Sequence, residues 1–156
     1  LDRADSVAVL LRAPDGKFVM VEQFRIGPAT KKTDDSFTFE PVAGMIDTGE
    51  TPEQAAIRES KEEIGVEPKW LKSAGYIWMC PGVSNEAMHL FIGECDIPDQ
   101  YGGTDDGEEI KVHLFTESQL IAMDALNKLN TPHAKILLAS WRLHALENNA
   151  GNELKI

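Results

Sequence analysis

The chain has few of the residues that disulfide-linked, zinc-binding or thiol redox proteins need. Its only two cysteines, Cys80 and Cys95, lack the CxxC spacing of a zinc or dithiol site. Both lie in apolar, strand-like runs, so we expect buried free thiols. The histidines are scattered without metal-ligand spacing, and each is expected to be a structural or surface residue. They are His89, His113, His133 and His144.

Long apolar runs and clusters of positive charge are also missing. No run of about 18 apolar residues is present, and the first 16 residues lack the layout of a signal peptide. We therefore expect a cytoplasmic protein that binds no membrane. The formal charge of −11, from 15 basic and 26 acidic residues, argues against nucleic-acid binding, which needs clustered Lys and Arg. An anionic substrate would need a divalent cation as a bridge.

The pattern of strands and helices indicates an α/β protein. At 156 residues with 42% hydrophobic residues, the chain suits one compact domain over residues 1–156. Strands interspersed with helices, including a hairpin around Pro14-Asp15-Gly16, predict an α/β/α sandwich with a central mixed β-sheet. The last helix is assigned to packing. Strands are expected at 5–12, 18–24, 37–44, 74–80, 88–96 and 110–115, a loop at 27–36, and helices at 52–64, 117–129 and 132–147.

The helix at 52–64 has clear start and stop signals and an acidic face. Thr51 can cap its beginning, Gln54 completes a capping box, and Gly65 suits the left-handed position at its end. Spacings of three and four residues place three carboxylates within reach of one another, and they repel unless something neutralises them. A solvated face with an Arg58–Glu62 pair is the alternative. The three carboxylates are Glu59, Glu62 and Glu63.

Residues 44–66, GMIDTGETPEQAAIRESKEEIGV, carry a longer pattern of glycines and charged residues. Gly44 and Glu50 precede the pairs Arg58-Glu59 and Glu62-Glu63, and Gly65 follows them. This pattern resembles the Nudix box, with Ser60 in a place where the family usually has an apolar or small residue. The resemblance implies the Nudix-type sandwich and hydrolysis of a diphosphate with magnesium, or alternatively manganese, as cofactor.

The same resemblance assigns roles to individual residues. It implies that Glu59, Glu63 and the backbone carbonyl of Ala43 are metal ligands. Glu62, which is also counted as a catalytic residue, would join these ligands or hold a second ion. Magnesium prefers such oxygen ligands, usually a few carboxylates together with substrate phosphates. Arg58 and Glu50 would brace the loop against the helix.

Motifs outside the box resemble those of the ADP-ribose pyrophosphatase subgroup. They are VEQFRIG at 21–27, EPVAGMID at 40–47, CPGVSNE at 80–86 and EEIKVH at 108–113. By resemblance, the substrate-binding residues are Arg25, Gly44, Met45 and Glu86. Without those flanking matches, Pro81-Gly82 would read as a simple turn.

The acidic loop between residues 97 and 110 is expected to supply the catalytic base. Alignment on the IKVH sequence favours Glu108 and Asp106, and Glu108 is also expected to touch metal. Asp106 stands where the subgroup has a longer glutamate, so the choice between the two stays open. A solvated turn is the alternative for this loop.

The main hypothesis is hydrolysis of ADP-ribose to AMP and ribose 5-phosphate. Another nucleoside diphosphate sugar, such as GDP-mannose, is the alternative substrate, and a non-catalytic ADP-ribose-binding sensor is the alternative class. The complete set of box carboxylates favours catalysis. The resemblance also implies a homodimer, although this chain begins almost at the Nudix core, whereas subgroup members usually carry a further N-terminal sheet that swaps across the dimer.

Overall fold

The computed structural model describes residues 1–31, 36–98 and 110–153, with side chains as far as residue 149. In this part of the chain, seven strands form one sheet and four helices accompany it. The strands are β1 (Ser6–Arg12), β2 (Phe18–Phe24), β3 (Phe37–Glu40), β4 (Val42–Met45), β5 (Pro68–Trp78), β6 (Ala87–Cys95) and β7 (Lys111–Phe115). The helices are α1 (Ile26–Ala29), α2 (Pro52–Ile64), α3 (Glu117–Ala125) and α4 (Pro132–Glu153).

Strand β1 lies at the centre of a mixed sheet. It pairs in parallel with β6 along its whole length, and all other pairings are antiparallel. On its other edge β1 pairs with β2 only at Leu11 and Arg12, and then with β4 from Ser6 to Val9. The two strands of the hairpin therefore diverge, and the β3–β4 segment fills the space between them.

The sheet is covered on both faces, as the predicted α/β/α sandwich requires. Alternate residues of β1 point to opposite faces, because successive side chains in a strand do so. Ala8 and Leu10 belong to a core that includes Leu137 and Trp141 of α4. Val7, Val9 and Leu11 belong to a second core that includes Ala55, Ala56 and Ile64 of α2. Helices α2 and α4 thus lie on opposite sides of the sheet.

Helix α2 has the bounds that its sequence signals predict. The Thr51 and Gln54 side chains form a capping box, and Gly65 ends the helix at a φ of 75°. Ala55 and Ala56 are fully buried, so α2 packs closely against the sheet. Ser60 is also buried, and its hydroxyl donates to the Ala56 carbonyl at 2.7 Å. The departure from the box pattern therefore leaves no unpaired hydroxyl.

Several other elements differ from their predicted bounds. The strand expected at 37–44 is divided at Pro41, which has no N–H to donate, and its halves pair with different strands. The strand expected at 74–80 begins earlier, at Pro68, because it follows β6 through irregular registers. Helix α3 ends at Ala125, shortly before Asn127 with its positive φ of 55°. The predicted loop at 27–36 overlaps α1, and α4 continues to Glu153.

The prediction of two buried cysteines is correct for one of them. Cys95 is buried in the second core, whereas Cys80 is exposed, because it follows β5 at the start of the turn through Pro81-Gly82. Among the described residues, no helix is long and apolar enough to cross a membrane.

Candidate active site

Two carboxylates of α2 are buried where the helix packs against β4. Glu59 is 9% exposed and Glu63 is 3% exposed. The Ala43 N–H donates to Glu63 Oε2 at 3.3 Å. Gly44 lies so close to α2 that a Cβ atom at this position would overlap the Glu59 carboxylate. The box glycine therefore leaves room for the Glu59 carboxylate beside β4.

The buried Glu59 and Glu63 carboxylates are electrostatically unfavourable unless a positive charge lies nearby. Burial raises the pKa of Glu63 to about 8, and the charge of Glu59 adds to the rise. Burial also raises the pKa of Glu59, against the opposing effect of Arg58. Removing two neighbouring carboxylates from water costs free energy unless a cation compensates them.

The oxygen donors at this position fit a hard divalent cation. Carboxylate and carbonyl oxygens are the ligands that magnesium takes, and Glu59, Glu63 and Ala43 supply both kinds. Among the described residues, no group of three or more His, Cys, Asp or Glu side chains is gathered as a complete metal site. The third predicted carboxylate ligand, Glu108, lies outside the described residues, as does Asp106.

Glu62 is more exposed than the buried pair, although it shares Arg58 Nη1 with Glu59. Its side chain is 50% exposed and accepts a hydrogen bond from Arg58 Nη1 at 3.1 Å. The i,i+4 pair that sequence alone suggested as an alternative for the acidic face is therefore present. It exists beside the buried Glu59 and Glu63, so the helix has one solvated acidic edge and one buried acidic face.

Arg58 braces the loop that connects β4 to α2. Its guanidinium donates to both carboxylate oxygens of Glu50 at 2.9 Å, to the Met45 carbonyl at 2.9 Å and to Glu59 Oε1 at 2.8 Å. The hydrogen bonds to Glu50, opposed by burial and reinforced by Glu59, raise the pKa of Arg58. Arg58 therefore stays charged and fixes the Glu59 carboxylate relative to the loop.

A cavity of about 690 Å³ is bounded in part by Ala43, whose backbone N–H contacts Glu63, although neither Glu59 nor Glu63 is among its described wall residues. Arg25 and Lys31 supply positive charge to its wall, and Met79 and Met88 supply apolar surface. The start of α4 completes the wall with Asn130, Thr131, Pro132 and His133. Such a mixture of apolar surface with a few polar and charged groups is typical of small-molecule sites.

Arg25 is held in the cavity wall by Glu40. Its Nε and Nη2 atoms donate to the two carboxylate oxygens of Glu40 at 2.9 and 2.8 Å. Glu40 is 2% exposed, and it also lies 3.1 Å from His133 Nε2 and accepts a short hydrogen bond from the Thr38 hydroxyl. Burial alone would raise the pKa of Glu40, but Arg25 and His133 outweigh it and hold the pKa well below its usual range.

This network predicts an acid-dependent contribution to stability. The Glu40→Gln variant should lower the unfolding free energy at pH 7 by about 1–3 kcal/mol, because an amide NH₂ would face donors of Arg25 and His133. The folded-state pKa of Glu40 lies below its ordinary value of 4.5. Its contribution is therefore complete above that pH and declines as the pH falls further. Urea unfolding across pH 3–7 would measure the difference.

The control for Glu40→Gln is Glu67→Gln, which changes an exposed carboxylate paired with Lys61. It should leave the unfolding free energy nearly unchanged, since exposed ion pairs contribute little. A Glu40→Gln difference that stays constant from pH 7 to pH 3 would contradict the lowered pKa of Glu40.

The other predicted substrate residues lie at different distances from the cavity. Gly44 and Met45 follow Ala43 on β4, and the Met45 side chain is 39% exposed. Glu86 is not among the described wall residues. It accepts a hydrogen bond from Ser6 Oγ at 3.0 Å and lies 3.3 Å from Arg3 Nε. The structure therefore brings Arg25 and Gly44 to the carboxylate pair and its cavity, while Glu86 lies at the start of β6.

Sequence reasoning missed the residues at the start of α4 and the role of Glu40. The final helix was assigned to packing alone, yet its first turn forms part of the cavity wall. A signal for Glu40 was available, since a charged residue inside the apolar run FTFEPVA must find partners if it is buried. Nothing in the sequence indicated that one partner would be His133.

The fold agrees with the family that sequence comparison identifies. The NUDIX domain model matches residues 2–139, so the chain belongs to the Nudix family. The chain is similar to the ADP-ribose pyrophosphatase of Haemophilus influenzae, 36% identical over 121 residues, which cover 74% of this chain and 56% of that protein. The ADP-ribose pyrophosphatase of Escherichia coli (strain K12) is 33% identical over 135 residues, with 83% and 64% covered.

A relative named for a different substrate matches over a longer stretch. The GDP-mannose pyrophosphatase of Yersinia enterocolitica is 29% identical over 150 residues, which cover 93% of this chain and 77% of that protein. The chain spans only 56% and 64% of the length of the two ADP-ribose pyrophosphatases. These relatives are therefore named for two different substrates, ADP-ribose and GDP-mannose.

Proposed function

We propose that this chain, as a single Nudix domain, hydrolyses the diphosphate bond of a nucleoside diphosphate sugar. ADP-ribose is the first candidate, with AMP and ribose 5-phosphate as products. The observation that carries the proposal is the cavity that joins the Arg25 guanidinium to Ala43, beside the buried Glu59 and Glu63. A cavity with cationic side chains next to a carboxylate pair suits an anionic diphosphate substrate, and Glu59 and Glu63 would hold the metal ion that neutralises its charge.

The Nudix family generally uses divalent metal ions. Glu59, Glu63 and the Ala43 carbonyl would hold magnesium, or manganese, here. When bound, the ion neutralises diphosphate charge and makes nearby water more acidic. Side chains of the protein supply the positioning. Arg58 fixes Glu59 relative to the loop, and Arg25 binds and orients the anionic substrate.

Glu108 and Asp106 stay the predicted candidates for the base that takes a proton from the attacking water. Glu62 is the third predicted catalytic residue, and it would act from the solvated edge of α2, where Arg58 contacts it. The predicted homodimer is also part of the proposal, and sedimentation of the purified protein would measure it.

GDP-mannose is the second candidate substrate, because the Yersinia enterocolitica relative of that name matches 93% of this chain. The two candidates share the diphosphate and differ in base and sugar. They therefore use the same chemistry at Glu59 and Glu63, and discrimination must come from other cavity residues.

Product analysis tests the proposal. The purified protein would be incubated with magnesium and a panel of ADP-ribose, GDP-mannose, UDP-glucose, NADH and diadenosine polyphosphates, with chelator in a parallel reaction. We expect fastest turnover of ADP-ribose, appearance of AMP and ribose 5-phosphate, and loss of both with chelator. Fastest turnover of another sugar nucleotide would keep the reaction and change the substrate. Metal-independent binding without turnover would favour the sensor alternative.

A further inference from the structure

Three side chains in hydrogen-bonding contact link helix α4 to Arg25 at the cavity. His133 Nε2 of α4 lies 3.1 Å from Glu40 Oε2 of β3, and Glu40 binds Arg25, which follows β2. Glu40 and His133 are 2% and 4% exposed, whereas the Arg25 side chain is 40% exposed. All three residues line the cavity, and Arg25 is the one whose side chain is open to solvent.

Core packing fixes the position of His133, the first of these three residues. His133 lies in the first turn of α4, next to Ala134, and Leu129 precedes the helix. Both apolar residues are buried in the same core as Leu137. The position of the His133 ring is therefore set by the packing of α4 against the sheet.

Glu40 contacts both His133 and Arg25, so the position of the His133 ring affects the orientation of Arg25. The two-point contact fixes the Arg25 guanidinium relative to the Glu40 carboxylate. His133 contacts the carboxylate from a different element, and Thr38 contacts it from the same strand. A carboxylate held from several directions in the interior has one orientation, and its bidentate arginine then has one as well.

We propose that His133 is a positioning residue for Arg25, acting through Glu40, in the binding of the nucleoside diphosphate. The proposal rests on the proposed function for its substrate, although the contact chain itself does not depend on it. In this role His133 acts on the substrate through Glu40 and Arg25. It determines where the guanidinium stands when the anionic substrate enters the cavity.

Kinetics of two His133 variants test this role. The His133→Leu variant removes the contact to Glu40 and should raise KM for the preferred sugar nucleotide about tenfold, with kcat changed less than about twofold. The reason is that Arg25 binds the substrate in both ground and transition states. His133→Gln can still donate to Glu40 and should restore most of the affinity. His144→Leu, on the same helix but bonded to Lys72, is the matched control.

A double-mutant cycle separates positioning from general stability. In an Arg25→Ala background, His133→Leu should raise KM no further, because the group that it positions is gone. An equal rise in KM in both backgrounds would overturn the proposal in favour of a purely structural role. An unchanged KM in the single His133→Leu variant would also overturn it.

An NMR measurement without substrate tests the positioning role of His133 independently of the proposed hydrolase function. The Arg25 Nε–H signal, assigned by its loss in Arg25→Lys, should exchange slowly with water in the wild type and in His133→Gln. In His133→Leu it should exchange at least about tenfold faster. Equal exchange in all three proteins would overturn the proposal. If the wild type hydrolysed no sugar nucleotide, the proposed function would fail, and this exchange comparison would still decide whether His133 positions Arg25.

Discussion

The Glu63→Gln variant should lose about 10²–10⁴-fold in kcat/KM while keeping its fold, since a catalytic metal contributes several kcal/mol to the transition state. Gln is similar in size to Glu and can still accept the Ala43 N–H hydrogen bond that Glu63 accepts. It has no negative charge with which to hold a divalent cation. Steady-state hydrolysis of the preferred sugar nucleotide at several magnesium concentrations would measure the loss.

The fold of Glu63→Gln should survive for an electrostatic reason. Burial raises the pKa of Glu63 to about 8, so the charged form of this side chain destabilises the metal-free protein. A neutral amide removes that cost, and the thermal midpoint in chelator should be equal to or above that of the wild type.

Glu53→Gln is the matched control, because Glu53 lies on the exposed side of the first turn of α2. It should change neither turnover nor magnesium dependence. Wild-type turnover in Glu63→Gln would contradict the assignment of Glu63 as a metal ligand. A folding defect in Glu63→Gln alone would contradict the electrostatic argument.

The Gly44→Ala variant should reduce turnover by about 10²-fold, the cost expected when a misplacement of about 1 Å disturbs a catalytic group. The added Cβ would overlap the Glu59 carboxylate. That carboxylate is the far end of a flexible side chain, so it can move aside without displacing the backbone. Activity should therefore fall much more than the unfolding free energy, and parallel kinetics and urea unfolding would show the difference.

Gly82→Ala is the control for Gly44→Ala. A Cβ at Gly82 meets nothing within 4 Å, and Gly82 has no positive φ. This substitution should leave both activity and stability near the wild-type values. If Gly44→Ala kept full activity, the Glu59 carboxylate would not need its present position. If it lost stability and activity in proportion, the glycine would serve packing alone.

Helix α2 shows which features can be predicted from residues that are close together in the sequence. Its caps and bounds were predicted correctly, because Thr51, Gln54 and Gly65 act on the backbone next to them. The burial of Glu59 and Glu63 and the exposure of Glu62 also follow from helical spacing once one face is known to pack. The roles assigned to these carboxylates stay predictions until variants are measured.

Strand pairing was less predictable from local signals. The segment 37–44 looks like one strand, and only the divergence of β1 from β2 shows why it must change partners at Pro41. The start of α4 looks like a packing helix, and only the fold brings His133 to Glu40 across 93 positions of sequence. Contacts of this kind depend on how distant elements pack, and no short window of sequence contains both partners.

The sequence by itself therefore determined the α/β class, the caps of α2, the family motif and the identity of the acidic residues. Each of these depends on residues close together in the chain, where backbone geometry and spacing decide the outcome. The tertiary structure alone decided which carboxylates are buried beside Gly44, which residues form the cavity, and that Arg25 is held through Glu40 by His133. These features arise because two helices pack on opposite faces of one sheet and bring distant side chains within hydrogen-bonding distance.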